Sequence, residues 1–144
     1  MLNASLVDIP RPFIDSIYTL AEALGVACLA LEHPLKPHTL ALVTDQQRRG
    51  LGLVRDASLD HQSIHNIVGA CSHIPLAHSV VLVSVRTQSP INPSDNELLR
   101  HVSTVAANAG LHLLDWVVVG RGGLYCPRSI ADMPDPWATS PACL

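Results

Sequence analysis

The 144-residue chain is 48% apolar with a formal charge of −3, enough length and apolar mass for one domain with a real core. Its longest apolar runs (Leu40–Val43, Ser79–Val85, Val117–Gly120) are of strand length and far short of the ~20 residues of a membrane span. With no basic segment ahead of an apolar stretch at the N-terminus, the expected location is the cytoplasm, and the scattered arginines argue against nucleic-acid backbone binding as the main task.

The first element predicted is a helix within "DIPRPFIDSIYTLAEALGV". Pro12 suits its first turn, Ile14, Ile17, Leu20, Ala21 and Leu24 recur at helical spacing, and Gly25 offers a stop. "ACLALE" reads as a short strand and "HPLKPH" as a loop. "TLALVTD" and "GLGLVRD", on either side of the polar "QQRR", read as a β-hairpin.

"ASLDHQSIHNIVGACSHI" opens a second helix, capped by Ser58 or Asp60, with Ile64, Ile67, Val68 and Cys71 on its inner face. "HSVVLVSV" is apolar on both faces, the mark of a central buried strand. "PSDNELLRHVSTVAANAG" is a third helix, capped near Ser94 or Asp95 and ended by Gly110. Its inner stripe is Leu98, Leu99, Val102, Val105, Ala106 and Ala109.

"LHLLDWVVVG" is another strand, "RGG" a tight turn, "LYCP" a short last strand, and the tail from Arg128 is irregular. The order α–β–β–α–β–α–β–β gives an α/β fold with one mixed sheet flanked by helices. The helices at 61–72 and 95–109 should flank it. Residues 1–38 form a helix and linker of that domain, 39–130 its core and 131–144 its tail.

Few residues form a chemical motif. Cys28, Cys71, Cys126 and Cys143 lack C-x-x-C spacing and read as free thiols. His61 and His65 stand at i and i+4, a spacing that suits zinc, but two residues are not by themselves a zinc site and solvent-facing histidines are the simpler reading. "GRGG" follows a strand with no helix after it, so it reads as a hairpin turn rather than a phosphate cradle. No cofactor or metal is expected.

From about Thr39 to Ile130 the sequence resembles the RadC-type branch of the JAB/MPN metalloprotease-like family. "GLHLLDWVVVG" (Gly110–Gly120) follows that family's Gly-Ile-x-x-Leu-Asp-His-Ile-Ile-Val-Gly. "NPSD" (Asn92–Asp95) takes the place of its Ser-x-x-Asp, and "HSVVLVSV" that of the strand before its His-Asn-His-Pro-Ser-Gly. The resemblance implies a JAB/MPN-like fold with a degenerate site. Ser84 and Arg86 stand where the family has its two metal-binding histidines, and Asp95 matches the acidic ligand. The family serine falls on Asn92, or on Ser94 in a register that uses Glu97. The family glutamate falls around Pro37, with Glu32 as a substitute if the loop shifts. The family's usual N-terminal helix-hairpin-helix module has no match in residues 1–38, so a DNA-repair role does not transfer.

Zinc in such a site needs three protein ligands and a bound water. A neutral serine is a poor ligand and Arg86 carries a fixed positive charge. The leading expectation is therefore a catalytically inactive bacterial domain that binds a protein partner, a second copy of the chain being one option. Arg86 is expected either to pair with Asp95 or to lie exposed. The competing readings are a hydrolase using Asp95, Arg86 and Asp115, with His112 and Cys126, in one cleft, and a small-ligand or nucleic-acid module. Trp116 and Trp137 are too far apart in sequence to suggest a stacking platform. A contiguous face of Arg48, Arg49, Arg55 and Arg100 would favour nucleic acid.

Overall fold

A computed structural model describes residues 9–31, 36–57, 60–87, 92–120, 122–130 and 136–138. In chain order the elements are α1 (Leu20–Cys28), β1 (His38–Thr44), β2 (Gly50–Asp56), α2 (His61–Ser72), β3 (Ser79–Val85), α3 (Asp95–Asn108), β4 (His112–Gly120), β5 (Gly123–Tyr125) and a helical turn α4 (Pro127–Ile130). A 3₁₀ turn, Pro136–Ala138, follows. The strands form one sheet in the order β2-β1-β3-β4-β5. Only β3 and β4 run parallel, and the other neighbours are antiparallel. This is the expected α/β architecture with a mixed sheet. None of the helices described is long and apolar enough to cross a membrane.

Alternation along the strands sends apolar side chains to both faces. Ala41, Val43, Val80, Leu82, Trp116 and Val118 pack with Ile64, Ile67, Val68 and Cys71 of α2 and with Leu99, Val102, Val105 and Ala106 of α3. Leu42, Val81 and Leu114 pack with Ile17 and with Ala23 of α1 on the second face, where Val26 and Trp137 also lie. The result is three layers, with β1 and β3 buried along their whole lengths. Asp60 caps α2 by accepting the Ser63 N–H at 2.8 Å. Gly110, with φ +80°, ends the α3 segment in a left-handed turn. Ala109 is exposed rather than part of the inner stripe.

The N-terminal helix is shorter than its isoleucine spacing suggests, and it starts later. Phe13 adopts φ +64°, outside the helical region. Asp15 N closes a single turn on Arg11 O at 3.1 Å, but two other backbone donors reach across to the chain at the start of β2. Phe13 N bonds to Gly50 O at 2.9 Å and Ile17 N to Arg48 O at 2.8 Å, with a bridge between Ser16 and Arg49. The helix starts only at Leu20, behind a capping box in which Thr19 Oγ1 accepts from Glu22 N and Glu22 accepts from Thr19 N, both at 3.1 Å. Pro12 is not in its first turn, Ile14 is exposed, and Gly25 lies inside the helix rather than ending it.

"ACLALE" is not a strand: Ala27 and Cys28 close α1, and Leu29 and Ala30 form a turn. The tail has the α4 and 3₁₀ turns where irregular chain was expected. Ser58, Glu32, Arg121, Cys143 and the side chain of His61 lie outside the described residues.

β4 carries one irregularity that matters for the site. Its register with β3 slips between Val80 and Val81, so Leu113 faces Val80 while Asp115 faces Val81. Leu114 is the extra residue. The bulge turns Asp115 towards the α1 face, with Val81, and Trp116 towards the α2/α3 face, with Leu82.

Candidate functional site

The C-terminal end of β3 and the N-terminal end of α3 meet on the α2/α3 face. Ser84 is the last residue of β3 to point that way, since its partner on β4 is Val118 of that core. Antiparallel pairing sets Thr39 of β1 beside it, and the two hydroxyls are 3.1 Å apart. The indole Nε1 of Trp116 donates to Ser84 Oγ at 2.9 Å. Ser84 and Trp116 are both buried, so the indole N–H finds the partner that burial requires.

Arg86 follows directly. Its backbone N–H bonds to Val119 O at 2.9 Å and so extends the parallel ladder one residue past β3. This anchors the side chain over Trp116, with the guanidinium carbon 5.6 Å from the ring centre. From there the guanidinium meets Asp95 with both terminal nitrogens, Nη1 to Oδ2 at 2.9 Å and Nη2 to Oδ1 at 2.7 Å. The backbone N–H of Asn92 adds a third bond to Asp95 Oδ2 at 3.2 Å.

Asp95 opens α3, where the exposed N–H groups and the helix dipole favour a carboxylate, and it is only 1% exposed. Asn92 folds the approach by accepting from Ser94 N at 3.0 Å and Ser94 Oγ at 2.8 Å. The Ser94 hydroxyl is therefore used inside this turn and does not cap the helix. Glu97, of the alternative register, is exposed. Tyr125 of β5 lies within the field of the pair. Burial raises its phenol pKa first and Asp95 adds to this, while Arg86 opposes both.

Chemically, this is a closed polar cluster on an apolar floor. Both Asp95 oxygens are taken by a guanidinium, and the Ser84 hydroxyl is held by an indole and a threonine. A cation at Asp95 would have to displace the Arg86 charge, so the donor set does not fit a divalent metal. Among the described residues, no three His, Cys, Asp or Glu side chains converge.

The other candidates lie elsewhere. Asp115 points to the opposite face of the sheet, where its Oδ2 accepts from Trp137 Nε1 at 2.8 Å and its Oδ1 from Arg128 Nε at 3.1 Å and Trp116 N at 2.9 Å. The sheet therefore separates it from Arg86 and Asp95. His112 begins β4 at the far end of the sheet, bonded to His78 O through its backbone N–H. Burial first, then the charges of His78 and Arg48, lower its pKa. Cys126 follows β5 and is half-buried.

Trp116 and Trp137 pack on opposite faces. Arg48, one of the four arginines whose contiguous face would favour nucleic acid, is buried beneath Trp137, 5.5 Å from its ring centre, with Nη2 donating to Pro136 O at 3.1 Å. Arg49 is paired with Asp45 at 2.8 Å.

Sequence reasoning missed the roles of Thr39, Trp116 and Trp137. An indole in the middle of an apolar strand was a usable signal for Trp116, because a buried indole needs an acceptor. No local signal marks Trp137, whose partners are 22 and 89 residues away along the chain. Against models of known protein families and against curated protein sequences, the chain matches none.

Proposed function

We propose that the chain is a catalytically inactive RadC/JAB-like domain that works as a protein-interaction module. The observation that supports this reading most strongly is the Arg86 guanidinium on Asp95. In the family pattern this carboxylate belongs to a cation, and here an arginine of the chain itself supplies the positive charge. Ser84 and Trp116 stand at two further histidine positions of that pattern, and they satisfy each other. The three replacements fit together as one hydrogen-bonded cluster, and such a cluster has no open position for a zinc-bound water. A domain that keeps its fold and fills its reaction centre retains its surface as the part available for function.

The hydrolase alternative has less support, because Asp115 is across the sheet from Asp95. Metal content tests the proposal. Purified protein should retain no stoichiometric zinc and hydrolyse no peptide or isopeptide substrate. About one zinc per chain, lost in Asp95→Ala, would overturn it.

A further inference from the structure

We propose that the chain pairs with a second copy of itself through the surface formed by residues 10–15 and β2, each copy placing Phe13 in an apolar pocket of the other. This names a partner for the protein-interaction reading above and rests on it. The pocket lies on the α1 face, lined by Pro10, Pro12, Ile17, Val26, Leu42 and Leu53, with a volume of about 130 Å³. An apolar cavity of ~150 Å³ holds a benzene ring, so an aromatic side chain suits its size.

Phe13, the one phenylalanine of the chain, stands beside that pocket. Pro12 precedes it and Gly50 O accepts its N–H at 2.9 Å, and both of these neighbours line the pocket. Phe13 is 64% exposed, and its backbone is held at φ +64°, a conformation that bulky residues seldom adopt. Arg11 O fixes the turn by accepting from Ile14 N at 3.3 Å and Asp15 N at 3.1 Å. The backbone under the ring is therefore already ordered, which lowers the entropy lost on docking. A knob and a pocket side by side on one surface are what a two-fold interface requires, because each copy supplies both halves.

Charge and area favour a second copy over another partner. Arg11 and Asp15 flank Phe13, both exposed and paired with each other within the chain at 2.9 Å. A two-fold axis beside Phe13 sets Arg11 of one copy against Asp15 of the other, so opposite charges meet twice. Phe13, Ile14 (59% exposed) and Leu53 (39% exposed), with the pocket walls, offer roughly 300–400 Å² of apolar surface. That matches the apolar share, about 60%, of an interface of about 600 Å² per copy, the size of dissociable complexes. A dissociation constant of about 1–100 µM is expected.

Sedimentation equilibrium of the full chain in low-salt buffer, at concentrations spanning that range, tests the pairing. Phe13→Asn removes the ring, suits the positive φ, and should weaken the dimer at least ~30-fold, the loss of a central aromatic anchor. Leu124→Asn, at an exposed apolar residue of the opposite edge strand β5, should leave it unchanged. Arg11→Glu and Asp15→Arg should each weaken the dimer by setting like charges across the axis, and mixing the two variants should restore it. The restoration cannot come from the pair within one chain, which is broken in both variants. Circular dichroism checks the fold of each. A monomer at every concentration, a dimer that survives Phe13→Asn, or no restoration in the mixture overturns this interface and leaves the reading of the Arg86–Asp95 cluster standing. Stoichiometric zinc in a chain that dimerises in this way overturns the inactive-site reading and leaves the interface standing.

Discussion

Arg86 and Asp95 form a two-pronged ion pair between the end of the central strand and the first turn of α3, with the carboxylate sealed from solvent and the guanidinium resting on Trp116. Pairing was one of two outcomes the sequence left open for Arg86. Removing the cation strands a buried charge, whereas removing both charges strands none. Arg86→Met should therefore destabilise the protein by about 3 kcal/mol, the lower end for buried pairs because the guanidinium keeps some solvent contact. The Arg86→Met/Asp95→Leu double variant should recover most of that loss. Urea unfolding midpoints of the four proteins measure it, and additive losses would show that the pair is not coupled.

The same geometry predicts a gain of function. Ser84→His with Arg86→His replaces the guanidinium by two imidazoles beside Asp95, which together offer zinc three protein ligands. The double variant should bind zinc more tightly than the parent at a site that Asp95→Asn removes. Calorimetric zinc titration of the variant beside the parent measures the gain. No gain, with the fold intact by circular dichroism, would mean that Asp95 does not have ligand geometry.

Asp115 carries the structural charge of the opposite face. Its carboxylate, fully buried at the side chain, accepts from Trp137, Arg128 and the Trp116 backbone. Trp137→Phe keeps an aromatic ring but loses the indole N–H and its hydrogen bond to the Asp115 carboxylate, a loss of about 1–3 kcal/mol. The expected outcome is a lower unfolding midpoint with unchanged α2/α3 packing, read from the emission of the remaining Trp116.

Cys71 makes stability fall in alkaline solution. Burial pushes its thiol up to about 12, against the ~8.5 of an unfolded chain. Above the unfolded value the denatured state releases a proton that the native state keeps, so the denatured state gains. This contribution is intact below pH ~8.5 and declines towards pH 12, by about 1.4 kcal/mol for each pH unit. Cys71→Ala should flatten that slope between pH 8.5 and 10, measured by urea unfolding, while costing stability at neutral pH through the cavity it leaves. In the native protein, the exposed Cys28 should react with thiol reagents well before Cys71.

Local signals in the sequence determined the hairpin, β3, α2, α3 and the alternation of β4, because burial imposes a period of 2 or 3.6 that survives in the order of residues. They also brought Ser84, Arg86 and Asp95 under suspicion together, since the strand end and helix start that hold them are close in the chain. Only the tertiary structure decided where backbone donors and side chains found their distant partners. Residues 11–18 have helical spacing, but Phe13 and Ile17 donate to Gly50 and Arg48, and the helix waits for the Thr19–Glu22 box. The bulge at Leu114 shifts the phase of the alternation along β4, which puts Asp115 on the α1 face and Trp116 on the α2/α3 face, and neighbouring residues alone do not disclose that shift. Trp137, in a tail with no periodicity, earns its place from Arg48 and Asp115. The physical reason is common to all three. A buried donor or charge must be satisfied wherever a partner is available, and the partner's position is a property of the folded chain rather than of any window along it.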